Sequence, residues 1–301
     1  MTFNHLVLSG GGPVIFKLLG AIQHLQENKV WEIKDIKSIY ATSSGAILGA
    51  ILCLDFERNV VKDYVIGRPW KDAFKIDLQT LMNSYSKRGL FDRNFVEIFF
   101  KPLFDSKNIS MDITLEEFFV LTQIDFHVFS FEFNAFCVIN LSHTTHPTLH
   151  LLTAIHMSIA IPIILCPVFL EDGGCYMDGG IICNYPLNQC IEEQKLKEDT
   201  HTILGFKNDY QLSQDTYCVN QESTLMDYMM NFITKLVFNM STECQQTKIE
   251  SEVLLTQNTL MSISSIQDSL HSAETRKALF QEGVVYGVNF FNEFTKRNET
   301  K

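Results

Sequence analysis

Two strand-turn-helix units in direct succession constrain this chain more than any other feature. Leu6-Val7-Leu8 reads as a short apolar strand, followed by Ser9-Gly10-Gly11-Gly12. Apolar residues at Ile15, Leu18, Leu19, Ile22 and Leu25 then recur at helical spacing through about Glu27. Ser38 to Thr42 reads as a second strand, and Gly45 to Leu52 as a buried helix. Such βαβα alternation predicts a parallel sheet covered on both faces, with chemistry at the carboxyl ends of its strands.

Beyond this start, residues 56 to 118 carry more charge and read as helices with loops near Gly67-Arg68-Pro69 and Lys87-Arg88-Gly89. Aromatic and β-branched residues predict strands over Phe126 to Phe133 and Phe136 to Leu141, joined as a hairpin, and a further strand from Thr202 to Phe206. Leu151 to Leu170 has no Asp, Glu, Lys or Arg, but Pro162 and Pro167 interrupt it, so it reads as a helix ending near Ile161 and then a buried extended stretch. Amphipathic helices are expected over 222 to 240 and 273 to 283, and a frayed polar tail over 295 to 301. The helix bearing Leu225, Met226, Tyr228, Met229, Met230, Phe232, Ile233, Leu236, Val237 and Phe238 has a wide apolar face. Packing against the sheet is its simpler use, contact with lipid or capping of an acyl pocket the alternative. The whole reads as one domain over 1–301, with a motif-bearing core over about 5–205 and a helical region over about 206–294.

A formal net charge of −11 argues against a nucleic-acid binder, because neutralising phosphates takes a surplus of Lys and Arg. The eight cysteines lie without a CxxC pair and read as free thiols of a reducing compartment. Cys175, Cys183 and Cys190 with His156 or His201 match no common zinc spacing, so no metal is expected. The N-terminal residues show no signal peptide, which gives an intracellular, cytoplasmic expectation with at most peripheral membrane contact.

Three local patterns carry chemistry. Ala41-Thr42-Ser43-Ser44-Gly45 is a strand-to-helix turn that holds a serine proud of the sheet, a nucleophile elbow whose first glycine is alanine; the nucleophile two residues before the closing glycine is Ser43 rather than Ser44. Consecutive amides of Gly10, Gly11 and Gly12 suit an oxyanion hole or a phosphate cradle, though no Gly-Lys-Ser/Thr follows. Asp178-Gly179-Gly180 follows an apolar run, and a carboxylate receiving amide hydrogen bonds from such a turn is expected to stay ionised and to serve as base for a serine. His156 reads as a core residue, and His143, His146 and His150 as surface ones. His201 follows the aspartate in the order of a Ser-His-Asp hydrolase, but the glycine block comes too early for that fold.

These blocks, in order, resemble those of patatin-like phospholipases: Gly10-Gly11-Gly12, Thr42-Ser43-Ser44-Gly45, Ala154 to Pro162, and Asp178-Gly179-Gly180 through Asn184-Tyr185-Pro186. The resemblance implies a three-layer α/β/α fold with a mostly parallel sheet, a Ser43–Asp178 dyad, an oxyanion hole from the Gly10 to Gly12 amides, and hydrolysis of phospholipid or other acyl-lipid esters without a cofactor. It also marks Ala41, Gly45, Gly179, Gly180, Asn184 and Pro186 as supporting residues. The chain departs from the family at Val14 and Ile15, where a basic residue and a glycine are usual; Lys17, the nearest cation, points elsewhere on the helix. That departure raises a second reading, a lipid-binding or regulatory protein with weakened catalysis. An acyltransferase or thioesterase with the same dyad is a third, and a nucleotide binder using the glycine loop is more distant.

Overall fold

The computed structural model describes residues 2–72, 77–197, 199–211, 219, 221, 223–242, 247–258 and 262–299. The strands are β1 (His5–Leu8), β2 (Ser38–Thr42), β3 (Gly89–Phe91), β4 (Asp125–Glu132), β5 (Cys137–Leu141), β6 (Ile163–Leu165), β7 (Val168–Phe169), β8 (Cys175–Asp178), β9 (Ile203–Tyr210) and β10 (Glu252–Gln257). Eight of them form the main sheet in the order β10-β9-β1-β2-β4-β8-β7, with β5 also paired to β4. From β10 to β4 neighbours run parallel, while β5 and β8 pair antiparallel with β4. The fold is thus mixed α/β with a mostly parallel central sheet.

Successive residues of a strand face opposite sides of the sheet, and the two cores follow that alternation. Leu6, Leu8, Ile39 and Ala41 point into the larger core with the helices α1 (Ile15–Glu27) and α2 (Ser44–Cys53). Val7 and Tyr40 point the other way, into a smaller core with Leu187, Cys190 and Ile191 of the helix Leu187–Glu193. The predicted first two units therefore match the structure almost residue for residue. Leu151–Ile159 is a buried helix followed by the short strands β6 and β7, and among the described residues no helix is long and apolar enough to cross a membrane.

Four expectations are corrected. The C-terminal region is not purely helical, because β10 extends the sheet and the buried Val253, Leu255 and Gln257 alternate with more exposed neighbours. The last helix runs over Ala273–Glu299 rather than stopping near 283 and fraying from 295: Phe294 stacks on Phe290 and meets Phe3, and Arg297 donates to the Glu250 carbonyl. The helix Leu225–Thr242 does not bury the whole of its wide apolar face, since among the described side chains Leu225, Tyr228, Phe232 and Leu236 are all about half exposed or more, while Met230 is buried. The Met226, Val237 and Phe238 side chains lie outside the described residues. His143 is no ordinary surface residue: its ring stacks on Phe119 at 3.8 Å and its Nδ1 lies 3.0 Å from Asp125. Cys53, Cys137, Cys166, Cys175, Cys183 and Cys190 are free thiols, and Cys218 and Cys244 lie outside the described residues.

The terminal helix lies along α1 at glycine contacts. A Cβ at Gly283 would stand 1.9 Å from the Lys17 carbonyl oxygen, and one at Gly20 2.1 Å from that of Phe280. Backbone sits against backbone there, so no side chain can yield to relieve the overlap. Gly283→Val is expected to destabilise the fold by about 3 kcal/mol or more, at the high end of overpacking costs, as read by urea denaturation.

Candidate active site

The turn between β2 and α2 holds Ser43 with φ 53° and ψ −128°, a left-handed conformation that costs a non-glycine residue of order 1–3 kcal/mol. The surroundings hold it there. The Ser43 amide donates to Ser158 Oγ at 2.8 Å, and the Ser158 hydroxyl in turn donates to the Phe129 carbonyl of β4 at 2.6 Å. Thr42 Oγ1 donates to the Cys183 carbonyl at 2.8 Å, tying the end of β2 to the segment after Asp178. Ala41, where the elbow pattern expects glycine, is fully buried in mid-sheet and paired to Leu8 and Val128, so its methyl is ordinary core packing.

Asp178 ends β8 and reaches Ser43 from two strands away. The Ser43 hydroxyl donates to Asp178 Oδ2 at 2.6 Å, and the other carboxylate oxygen accepts the Gly180 amide at 2.7 Å. Both side chains are buried. Burial pushes the Asp178 carboxyl up to about 7, against the opposing pull of the Ser43 and Gly180 hydrogen bonds. The glycine turn alone suggests a permanently ionised group; desolvation outweighs it, because one amide donor replaces little of the water that a carboxylate loses.

The glycine loop packs directly on the elbow. Gly10 lies so near that a Cβ there would meet Ser43 Cβ at 2.6 Å. Its own amide donates to the Asn184 carbonyl at 3.2 Å, while its carbonyl accepts Asn184 Nδ2 at 3.3 Å and also Asn208 Nδ2. In a trans peptide the next N–H points opposite to that carbonyl, so the two asparagine amides fix the direction of the Gly11 N–H. Gly12 follows with φ 55° and opens a single 3-10 turn. Pro186 precedes the helix Leu187–Glu193 and closes the loop that carries Asn184.

An apolar cavity of about 120 Å³ opens beside Ser43, lined by Gly12, Phe16, Ile47, Trp70, Phe99 and Ile161 among others. Among the described residues that line it, none is charged. Val14 takes no part in the lining; it packs partly buried against the core. Lys17 turns away to pair with Glu282 at 2.7 Å and donates to Gln257 at 3.2 Å.

The histidines stand apart from this arrangement. His156 is buried in its helix, and desolvation lowers it to about 4, which keeps it neutral. His201 precedes β9, at the end of the sheet opposite Ser43, where His5 of β1 pairs with Ile203. Among the described residues no group of His, Cys, Asp and Glu is arranged to hold a metal ion. Ser158 and Asn208 are the supporting residues that pattern reading misses. Ser158 lies in the Ala154 to Pro162 block without a motif role, and Asn208 sits in a strand where nothing local marks it.

A model of the family described as patatin-like phospholipase matches residues 6–191. Two viral proteins are similar in sequence. An uncharacterized protein, R571, of Acanthamoeba polyphaga mimivirus is 27% identical over 192 residues, covering 61% of this chain and 60% of that protein. The probable lipid hydrolase 463L of Invertebrate iridescent virus 6 is 26% identical over 197 residues, covering 65% of this chain and 66% of the relative. The match thus spans less than two thirds of either relative's length. In structure the chain resembles VipD from Legionella pneumophila, with a TM-score of 0.57 at 14% identity, over 97% of this chain and 67% of that one. That last likeness speaks to fold, and the family match, covering more than half of the sequence, speaks to descent: the chain belongs to the patatin-like phospholipase family.

Proposed function

We propose that the protein is a serine acyl hydrolase that cleaves fatty-acyl esters of phospholipids or related glycerolipids through Ser43 and Asp178. The observation that carries this reading is the 2.6 Å hydrogen bond from the Ser43 hydroxyl to Asp178 beside a cavity whose described lining is apolar and uncharged. A serine hydroxyl needs a base within such reach to attack an ester at neutral pH. Asp178 takes the Ser43 proton as Oγ attacks the ester carbonyl, then passes it to the leaving alcohol as the tetrahedral intermediate collapses to an acyl-enzyme. Water, deprotonated by the same carboxylate, attacks that ester, and the fatty acid leaves as Ser43 regains its proton. The Gly11 and Gly12 amides are the proposed oxyanion donors, since Gly10 already donates to Asn184 and serves to hold the loop. The cavity takes the acyl chain. No cofactor enters the scheme.

Acyl transfer to an alcohol uses the same residues and differs only in which nucleophile meets the acyl-enzyme. Incubating the protein with a lipid carrying a labelled acyl chain, with and without an added alcohol, tests both: labelled free fatty acid is expected, and it should disappear in Ser43→Ala. Absence of any released or transferred label would leave the lipid-binding reading, which the uncharged Val14 motivates.

Lipid substrates lie in membranes, and the helix Leu225–Thr242 is the proposed contact. It touches the Gly179–Ile181 turn next to Asp178 and exposes Leu225, Tyr228, Phe232 and Leu236 at helical spacing. The double substitution Phe232→Asp, Leu236→Asp is expected to lower co-sedimentation with phosphatidylcholine vesicles by about tenfold, leaving hydrolysis of a soluble short-chain ester within about twofold. Unchanged co-sedimentation would rule this helix out as the contact.

A further inference from the structure

We propose that Arg276, a residue outside the cavity, is a positioning residue that shapes one cavity wall and so sets which acyl chains the site takes. The inference rests on the acyl-pocket reading above and adds a determinant of chain length to it. Arg276 sits in the first turns of the helix Ala273–Glu299 and is 1% exposed. It makes no ion pair with a carboxylate among the described residues. Instead Nε donates to the Ile66 carbonyl at 2.8 Å, Nη1 to those of Ser269 at 2.9 Å and Leu270 at 3.0 Å, and Nη2 to that of Arg68 at 2.8 Å.

A buried cation with no carboxylate partner among the described residues draws on another source of negative potential, and here two helix ends supply it. Ser269 and Leu270 close the helix Ile263–His271, and Ile66 and Arg68 lie at the end of the helical run from Arg58 to Gly67. The last carbonyls of a helix lack intrahelical partners and carry roughly half a negative charge between them. One guanidinium therefore caps both ends at once and fixes the distance between them. The planar fork with its five donors can span four carbonyls; a lysine ammonium, a point charge with three donors, cannot.

The same two helix ends form a wall of the cavity. Val65 comes from the first, Trp70 from the 3-10 turn Trp70–Asp72 that follows it, and Ile266, Ser269 and Leu270 from the second. Trp70 is fixed further by its indole donating to the Val65 carbonyl at 2.9 Å and by stacking on Phe99 at 4.7 Å. Without the guanidinium, four carbonyls lose their donor and the two segments lose their tie. A short acyl group needs only the space next to Ser43, whereas a long one needs the intact wall. The predicted loss is accordingly selective for long chains.

The test compares nitrophenyl butyrate with nitrophenyl laurate for the wild type, Arg276→Lys and the wall variant Trp70→Leu. For Arg276→Lys, kcat/KM on laurate is expected to fall about tenfold or more, chiefly through KM, with butyrate within about threefold. Trp70→Leu, which leaves the guanidinium bonds in place, is expected to lower kcat/KM on laurate by a larger factor than on butyrate and keeps the wall assignment testable if Arg276→Lys does not fold. Equal losses on both esters, or no loss on either, in a folded variant would overturn the assignment. Calorimetric binding of lauric acid to Ser43→Ala, with and without Arg276→Lys, separates the two readings. If the wild type hydrolyses neither ester, a tenfold weaker Kd in the double variant still supports the wall assignment, and an unchanged Kd overturns it.

Discussion

Asp178→Asn is expected to have two opposite effects, a loss of ester hydrolysis by about 10³-fold or more and a gain in thermal stability at pH 8. The first follows from removing the one carboxylate among the described residues that the Ser43 hydroxyl meets, at 2.6 Å. The second follows from the direction in which Asp178 is shifted. Buried in the fold it releases its proton at about pH 7, whereas an unfolded chain releases it near the ordinary 3.8. Between those values the native state binds more protons than the unfolded one, so the stability contribution is present at low pH and is lost as pH rises through 7. Asparagine removes that penalty: its carbonyl oxygen still accepts the Gly180 amide, and its Nδ2 donates to the Ser43 oxygen in place of the bond that the carboxylate accepted. The melting temperature of Asp178→Asn should exceed that of the wild type at pH 8 and approach it at pH 5, by roughly 2–4 °C for each kcal/mol. Wild-type activity should show an acid limb near pH 7, because only the ionised carboxylate can accept the proton. A flat profile from pH 5 to 8 would remove Asp178 from the role of base.

Gly45→Ala is expected to reduce turnover by about 10²- to 10³-fold in a protein that still folds, the size of losing an oxyanion donor. A Cβ at position 45 would stand 2.7 Å from the carbonyl oxygens of both Leu8 and Ser9. These atoms belong to the end of β1 and the entry to the glycine loop, so the added methyl pushes apart the two elements that must converge on one carbonyl carbon. Displacement of about 1 Å at such a point is enough for a loss of that order. Short-chain ester kinetics and circular dichroism on the same sample read the two halves of this expectation. A variant with full turnover would show that the loop does not contribute to the transition state.

The early part of the chain was legible because its information is local. The spacing Ile15, Leu18, Leu19, Ile22 and the small-residue turn at Ser43 each specify one element without reference to distant residues. What stayed hidden depends on contacts between segments far apart. Asp178 shows its glycine turn in sequence but not its burial, and burial decides its charge. Arg276 reads as the polar face of an amphipathic helix until two helix ends from elsewhere in the chain converge on it. The stripe from Leu225 to Leu236 is periodic in the same way whether it meets a sheet, a partner or solvent. β10 did carry a local signal, the alternation through Val253, Leu255 and Gln257, but a six-residue strand among helices has too few repeats to stand out.

β4 gives the site a property that no single contact confers. It bonds to β2 on one side and to β8 on the other, while its Phe129 carbonyl holds Ser158 under the elbow. Ser43 and Asp178 are thus registered through one shared strand deep in the sheet, not through a loop or a domain hinge. Segments of this kind open only when the whole domain unfolds, whereas the exposed helix Leu225–Thr242 can open by itself. Under the proposed hydrolase reading, regulation falls to access: a partner, a membrane or a covering helix can govern what reaches Ser43, while Ser43 and Asp178 stay assembled for as long as the molecule is folded.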